Sequence, residues 1–265
     1  MTSHNRKLDS DNIQELLKEL GKRIRKEFGK NADIELIIVG GASILLNYGF
    51  RETTTDIDAA IRTRSSIKSI TMQMADKYDL GDNWLNDDFK KTSSYSDKID
   101  LYSKYYKTYS GVLHVRTVSD IYLLAMKLDS FRVYKNDLSD IVNIYKNMPQ
   151  KCTLDDIEKA YGDLYGDRPI DINALNLVGK CIKDIDSIDI EKIRMIENNN
   201  QDILKESPDN DTVRKIDKET ASILFTDNDK ELVNLKEKIR LAKEKAEENK
   251  KYTNNLTTEI SSYDK

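Results

Sequence analysis

Residues 34 to 39 read IELIIV, a short apolar run rich in β-branched side chains, and the run is cut off at once by Gly40-Gly41. Its length and its glycine boundary make it a buried strand that ends in a tight turn. The flanking segments are helical. Upstream, Ile13, Leu16, Leu17, Leu20, Ile24 and Phe28 fall on one stripe of a helix over residues 11 to 28, where Asp11 and Gln14 resemble a capping box. Downstream, Ala42 to Tyr48 suits a short helix with Gly49 as its left-handed terminator, and the polar loop RETTT leads to a second strand, Asp56 to Ile61. The opening unit is therefore helix, strand, Gly-Gly, helix, strand.

Further along, Ser65 or Ser66 caps a helix running to about Lys77, and residues 79 to 97 are polar and irregular with Trp84 and Phe89 as anchors. Two more strands are expected, Lys98 to Tyr102 (KIDLY) and Val112 to Val118 (VLHVRTV), with Tyr-rich sequence ending at Gly111 between them. Ser119 caps a helix containing Ile121, Leu124, Ala125 and Leu128, and another helix covers Asp137 to Lys146. Beyond Pro149 the pattern is helical, with Thr153 as an N-cap. Asn198 to Asp211 reads as a polar linker. Glu231 to Lys251 sets Leu232, Leu235, Ile239, Ala242 and Ala246 at heptad-like spacing, which fits a solvated amphipathic helix or a segment that joins copies of the chain into a homo-oligomer. A chain of 265 residues, 38% hydrophobic and 34% charged, buries one good core with an appendage left over. The boundaries that follow are a core domain over 1–150, a helical extension over 151–200, and a linker with an amphipathic tail over 201–265.

A formal net charge of −4 provides no global basic field, so a nucleic-acid partner would need a local patch. The two cysteines, Cys152 and Cys181, are too far apart for a CxxC pair and have no histidine cluster beside them, which argues against a zinc site or a disulfide framework. Residues 1 to 8 lack an apolar h-region, and no stretch approaches the roughly 18 apolar residues of a membrane span. A soluble cytoplasmic protein without a membrane partner is expected.

The chemistry concentrates around the glycines. A strand passing through paired glycines into a helix presents backbone N–H groups and the positive helix end to an anion, with no Cβ in the way. Downstream, Asp56 and Asp58 are i and i+2 on a strand, so both carboxylates share a face while Ile57 anchors the other. Hard oxygen ligands at that spacing suit Mg²⁺, which takes its remaining ligands from water and substrate phosphates. Two such ions would serve a phosphoryl-type displacement. A second tripeptide of the same composition, Asp184-Ile185-Asp186, has no glycine turn before it and reads as packing. His4 and His114 stand apart from any Cys or Ser motif. Tyr95, Tyr102, Tyr105, Tyr106 and Tyr109 interleave with Lys98, Lys104 and Lys107, a mixture that suits either stacked bases of an RNA end or a solvated edge.

The segment IIVGGASILLNYGFRETTTDIDAAI resembles the signature of the polymerase-β-type nucleotidyltransferase superfamily, a Gly-Gly or Gly-Ser turn followed by DxD. It is particularly similar to bacterial families near the AbiEii abortive-infection toxins, with Thr54-Thr55-Asp56-Ile57-Asp58, Ala125-Met126-Lys127-Leu128 and Arg132 to Leu138 carrying the likeness over about residues 12 to 147. The resemblance implies an α+β class fold, a mixed β-sheet flanked by helices and followed by a helical C-terminal region. It implies a third carboxylate, best matched by Asp100 with Asp97 as the fallback, so that Asp56, Asp58 and Asp100 are the expected catalytic and metal-binding set. Gly40, Gly41, Ser43, Arg51, Thr54 and Lys127 are the expected nucleotide contacts. Gly41 stands where many members have a phosphate-binding serine, and Ser43, two positions on, is a candidate to replace that contact, with loss of the contact as the alternative. The implied reaction moves a nucleoside monophosphate from an NTP, with Mg²⁺, to an acceptor hydroxyl on RNA (a tRNA end in toxin-like relatives), a protein or a small molecule. A cognate antitoxin is a further partner of that resemblance, and the alternative function is a non-catalytic nucleotide-binding partner in a toxin-antitoxin or phage-defence pair.

Overall fold

A computed structural model describes residues 6–50, 53–206, 208–209, 212–213, 216, 220 and 224. The chain divides into two units, Met1–Pro208 and Asp209–Lys265, and every element below belongs to the first. Helix α1 (Ser10–Phe28) buries Ile13, Leu16, Leu17, Leu20 and Ile24, the apolar stripe of the sequence. Its cap is Asp9, whose carboxylate accepts the Asn12 N–H at 2.8 Å, upstream of the expected Asp11 and Gln14 pair.

Strand β1 (Ile34–Ile38) runs into α2 (Gly40–Tyr48), which ends on Gly49 at φ 68. Then come β2 (Ile57–Arg62), α3 (Lys68–Tyr78), the two-residue β3 (Leu85–Asn86), β4 (Ser103–Tyr109) and β5 (Leu113–Val118). They form one mixed sheet in the order β3-β2-β1-β5-β4. β1 is central, antiparallel to β2 and parallel to β5, while β3 is parallel to β2 and β4 antiparallel to β5. Ile34, Leu36, Ile38, Ile57, Ala59, Leu113 and Val115 share one face and are buried with the stripe of α1 and with Ile70 and Met74 of α3. Gly21 is the residue that lets α1 lie so close: a Cβ there would stand 2.9 Å from the Cβ of Tyr109 in β4. Trp84 is buried and its indole N–H donates to the Thr71 carbonyl at 3.0 Å, tying the irregular stretch before β3 to α3.

Helices α4 (Asp120–Asp129), α5 (Asp137–Asn147), α6 (Leu154–Tyr165), α7 (Ile172–Lys183) and α8 (Ile190–Glu206) complete the unit. α4 packs on α5 and α6, and α5 packs on α7 and α8. Thr153 caps α6 in a reciprocal box with Asp156. The class is the expected one, an α+β fold with a mixed sheet flanked by helices and a helical C-terminal part.

Three local expectations are corrected. Lys98 to Tyr102 is no strand: Asp97–Asp100 form a 3₁₀ turn whose start is capped by Ser96, and Leu101 is 75% exposed. The strand is instead the Tyr- and Lys-rich stretch after it, because pairing with β5 supplies the backbone partners that the alternation of KIDLY only mimics. Ser65 and Ser66 precede the cap position of α3, which is Ile67. Asn198 to Glu206 continue α8 instead of forming a linker, and Asn200 is buried and donates to the Val133 carbonyl at 2.9 Å. The heptad-like segment Glu231 to Lys251 lies outside the described residues. Among the described residues, no helix is long and apolar enough to cross a membrane, and Cys152 and Cys181 are free thiols. Asp184 to Asp186 fall in the turn after α7.

Candidate active site

Gly40 adopts φ 59, in the left-handed region, so the chain passes from β1 into α2 without a connecting loop. The cap residue, Val39, has no side chain able to bond the first-turn N–H groups of α2, which leaves the positive helix end uncapped by any side chain. Asp58 is brought against this turn by β2. Its carbonyl accepts the Val39 N–H at 2.9 Å, and a Cβ built on Gly40 would lie 3.7 Å from its Oδ2.

Around this junction opens a cleft of about 770 Å³. It is lined by Val39, Gly40, Gly41, Thr54, Asp56 and Asp58 together with the end of α4, the loop to α5, and Asp137 and Asp140 at the start of α5. Asp56 and Asp58 thus open on the same space. Burial and the charge of Asp56 hold the Asp58 carboxyl above the ordinary range; a hydrogen bond from Asn86 opposes them, and Asp88 adds to the rise. Asn86 stands directly opposite Asp58 in the β2–β3 register. Asp88 is two residues further along, ion-paired to Lys91.

Lys127 sits deep in the cleft wall with its side chain 12% exposed, and its ammonium contacts Asp137 and Asp140, each at 2.8 Å. Burial works to lower its pKa, but the two carboxylates outweigh it and the net direction is upward. Arg132 adds a second cation to Asp137 at 3.1 Å. The start of α5 is in turn held by Glu197 of α8, whose Oε1 accepts the N–H groups of Leu138 at 3.0 Å and Ser139 at 3.1 Å.

The expected residues divide accordingly. Gly40, Gly41, Thr54, Asp56, Asp58 and Lys127 all line the cleft. Asp100 does not: it lies on the 3₁₀ turn before β4 and pairs with Arg62, four residues beyond Asp58 at the other end of β2. Asn86 hydrogen-bonds Asp58 and the charge of Asp88 acts on it, though neither residue lines the cleft. Asp97 is exposed on the same turn as Asp100. Ser43 is fully buried, accepts from the Asn47 amide, and is absent from the cleft lining, so it does not replace the missing serine. Arg51 lies outside the described residues. Sequence reasoning passed over Lys7, which lines the cleft because Leu8 bridges Thr54 through two backbone hydrogen bonds, and over Asn198 and Gln201 of α8. None of these had a local signal; each arrives through long-range packing.

Among the described residues, no three His, Cys, Asp or Glu side chains converge to hold a metal unaided. The Asp56 and Asp58 pair nevertheless fits Mg²⁺, since its oxygens are hard donors under mutual repulsion and that ion needs only one or two carboxylates when phosphates supply the rest.

The family described as nucleotidyltransferase of unknown function (DUF6036) matches residues 15–168, and the chain belongs to it. That range holds the whole sheet, the glycine turn, Asp56, Asp58 and the Lys127 cluster. No curated protein and no solved structure matches the chain.

Proposed function

We propose that this member of a nucleotidyltransferase family binds an NTP with Mg²⁺ in the cleft and transfers its nucleoside monophosphate to an acceptor hydroxyl, releasing pyrophosphate. The observation that carries the reading is the juxtaposition of Asp56 and Asp58 with the uncapped start of α2 in one cleft. The N–H groups at Gly40 and Gly41 would hold phosphate oxygens at the positive helix end, where glycine lets the backbone approach closely. Asp56 and Asp58 would hold the metal. When bound, Mg²⁺ supplies Lewis-acid polarisation of the phosphoryl oxygens and favours ionisation of the attacking hydroxyl. The Lys127 ammonium spends two of its three protons on Asp137 and Asp140 and keeps the third for a phosphate oxygen. In the transfer the acceptor hydroxyl releases its proton to solvent as its oxygen bonds to the α-phosphorus, the bond from that phosphorus to the bridging oxygen breaks, and pyrophosphate leaves with the electron pair.

The likeness of Thr54 to Asp58, of Ala125 to Leu128 and of Arg132 to Leu138 to AbiEii-type toxins makes an RNA end the first acceptor to try. The test is incubation with each of four labelled NTPs, Mg²⁺, and total cellular RNA and protein. Label in RNA or protein that Asp58→Ala abolishes supports the transferase. Tight NTP binding without transfer to any acceptor would refute it and favour the non-catalytic nucleotide-binding partner.

A further inference from the structure

Most of the charge that lines the cleft is balanced where it stands. Two cations, Lys127 and Arg132, face two anions, Asp137 and Asp140, and Asp129 is paired with Arg168 at 3.1 Å. Among the described residues, the lining charges left without a counterion are the carboxylates of Asp56 and Asp58 and the ammoniums of Lys7 and Lys135. The carboxylates are the proposed metal ligands. Mg²⁺–NTP is itself an anion, and the Lys127 cluster, neutral as a set, brings it no net positive charge. An ammonium with no partner in the protein is what remains to balance the triphosphate.

Of the two free lysines, Lys7 is the one held beside the carboxylates. Leu8, fully buried, exchanges two backbone hydrogen bonds with Thr54, at 2.7 and 2.8 Å, and Asp9 caps α1, so the segment is pinned directly after Lys7. The pairing is antiparallel, so the step from Leu8 back to Lys7 runs with the step from Thr54 toward Asp56. Lys7 is exposed, lines the cleft, and makes no side-chain hydrogen bond or ion pair among the described residues. Arg6, the next cation along, donates to Asn12 at 2.5 Å and does not line the cleft. A lysine ammonium on its flexible stem turns to meet a phosphate oxygen without moving the backbone. Lys7 also precedes residues 15–168, the part that matches the family, so that likeness does not account for its presence.

Resting on the nucleotide-transfer reading of the cleft, we propose that Lys7 is a substrate-binding residue whose ammonium takes a phosphate oxygen of the NTP's triphosphate. Lys7→Met removes the charge and keeps most of the stem, whereas Lys7→Arg keeps the charge. Lys18→Met, exposed on α1 and outside the cleft lining, controls for the overall field of the protein. Binding of the four Mg²⁺–NTPs and of Mg²⁺–tripolyphosphate, which has no nucleoside, is measured by calorimetry on the full chain at about 50 mM and about 500 mM NaCl. Lys7→Met unfolds at the wild-type temperature, because its side chain leaves no contact behind. At the lower salt it loses about fivefold or more in affinity for every one of these ligands, the scale of one charge-assisted hydrogen bond at an exposed site. Lys7→Arg loses less than Lys7→Met, Lys18→Met keeps wild-type affinity, and the Lys7→Met gap narrows at the higher salt as screening weakens the wild-type contact. The proposal is overturned by a smaller loss in Lys7→Met, by an equal loss in Lys18→Met, by a loss that spares tripolyphosphate, or by one confined to the acceptor's KM. A wild-type chain that binds neither NTP nor tripolyphosphate sinks the transferase reading itself, whereas wild-type binding that Lys7→Met leaves intact overturns this proposal alone.

Discussion

Glu197 holds the first turn of α5, and with it the Asp137 and Asp140 carboxylates that grip Lys127, through two backbone hydrogen bonds made by a side chain that is 2% exposed. Burial pushes its carboxyl from the ordinary 4.5 up to about 8; the bonds from Ser139 and Leu138 oppose that rise, and the nearby charge of Asp140 adds to it. Between those two pH values the unfolded chain has lost this proton and the folded chain has kept it. The folded state then binds more protons, so the contribution is fully present below the lower value and is lost as pH rises through the upper one. A gap of roughly three and a half pH units at about 1.4 kcal/mol each amounts to about 5 kcal/mol. Glu197→Gln carries a neutral oxygen in the same place, accepts the same two N–H groups, and removes the titration. Urea denaturation at about pH 5 and about pH 8.5 is expected to show the wild type losing several kcal/mol more than the Gln variant across that interval. Titrating groups other than Asp140, whose charge couples to Glu197, are common to both proteins and drop out of the difference. Equal pH slopes for the two, or a Gln variant less stable than wild type at the higher pH, would refute the reasoning.

Lys127→Met leaves Asp137 and Asp140 buried without the cation they share, and should cost about 3 to 5 kcal/mol of unfolding free energy; a loss under about 1 kcal/mol would mean that Arg132 alone satisfies the pair. Asp100→Asn should retain NMP transfer within a few-fold of wild type, because its partner is Arg62 and not the cleft; abolished transfer in a folded variant would restore it as the third carboxylate. Gly40→Ala forces an L side chain into φ 59 beside Asp58 and should cost about 1 kcal/mol in stability while lowering NTP affinity by a larger factor, read by calorimetry; wild-type affinity would show that the turn does not contact phosphate.

What was legible in the sequence is what a contiguous stretch determines by itself. The stripe of α1, the apolar β1, the glycine turn and the alternation around Asp58 each fix a local geometry, and together they place two carboxylates and a helix start in one cleft. β4 was illegible because its strand character comes from pairing with β5, and KIDLY next to it alternates just as well without a partner. β3 is two residues long and is held by its register with Ile57 and Asp58, so Asn86 had nothing in its own neighbourhood to mark it. Asp100 and Asp58 show the difference in one comparison. Both are strand-like aspartates in apolar surroundings by sequence, yet the fold gives Asp100 an arginine and gives Asp58 a second aspartate. Arg62 pairs with one Asp100 oxygen, away from the cleft lining. Two carboxylates set together beside an uncapped helix start, with no lysine or arginine among the described residues pairing with them, are the donor set on which the proposed Mg²⁺–NTP site rests.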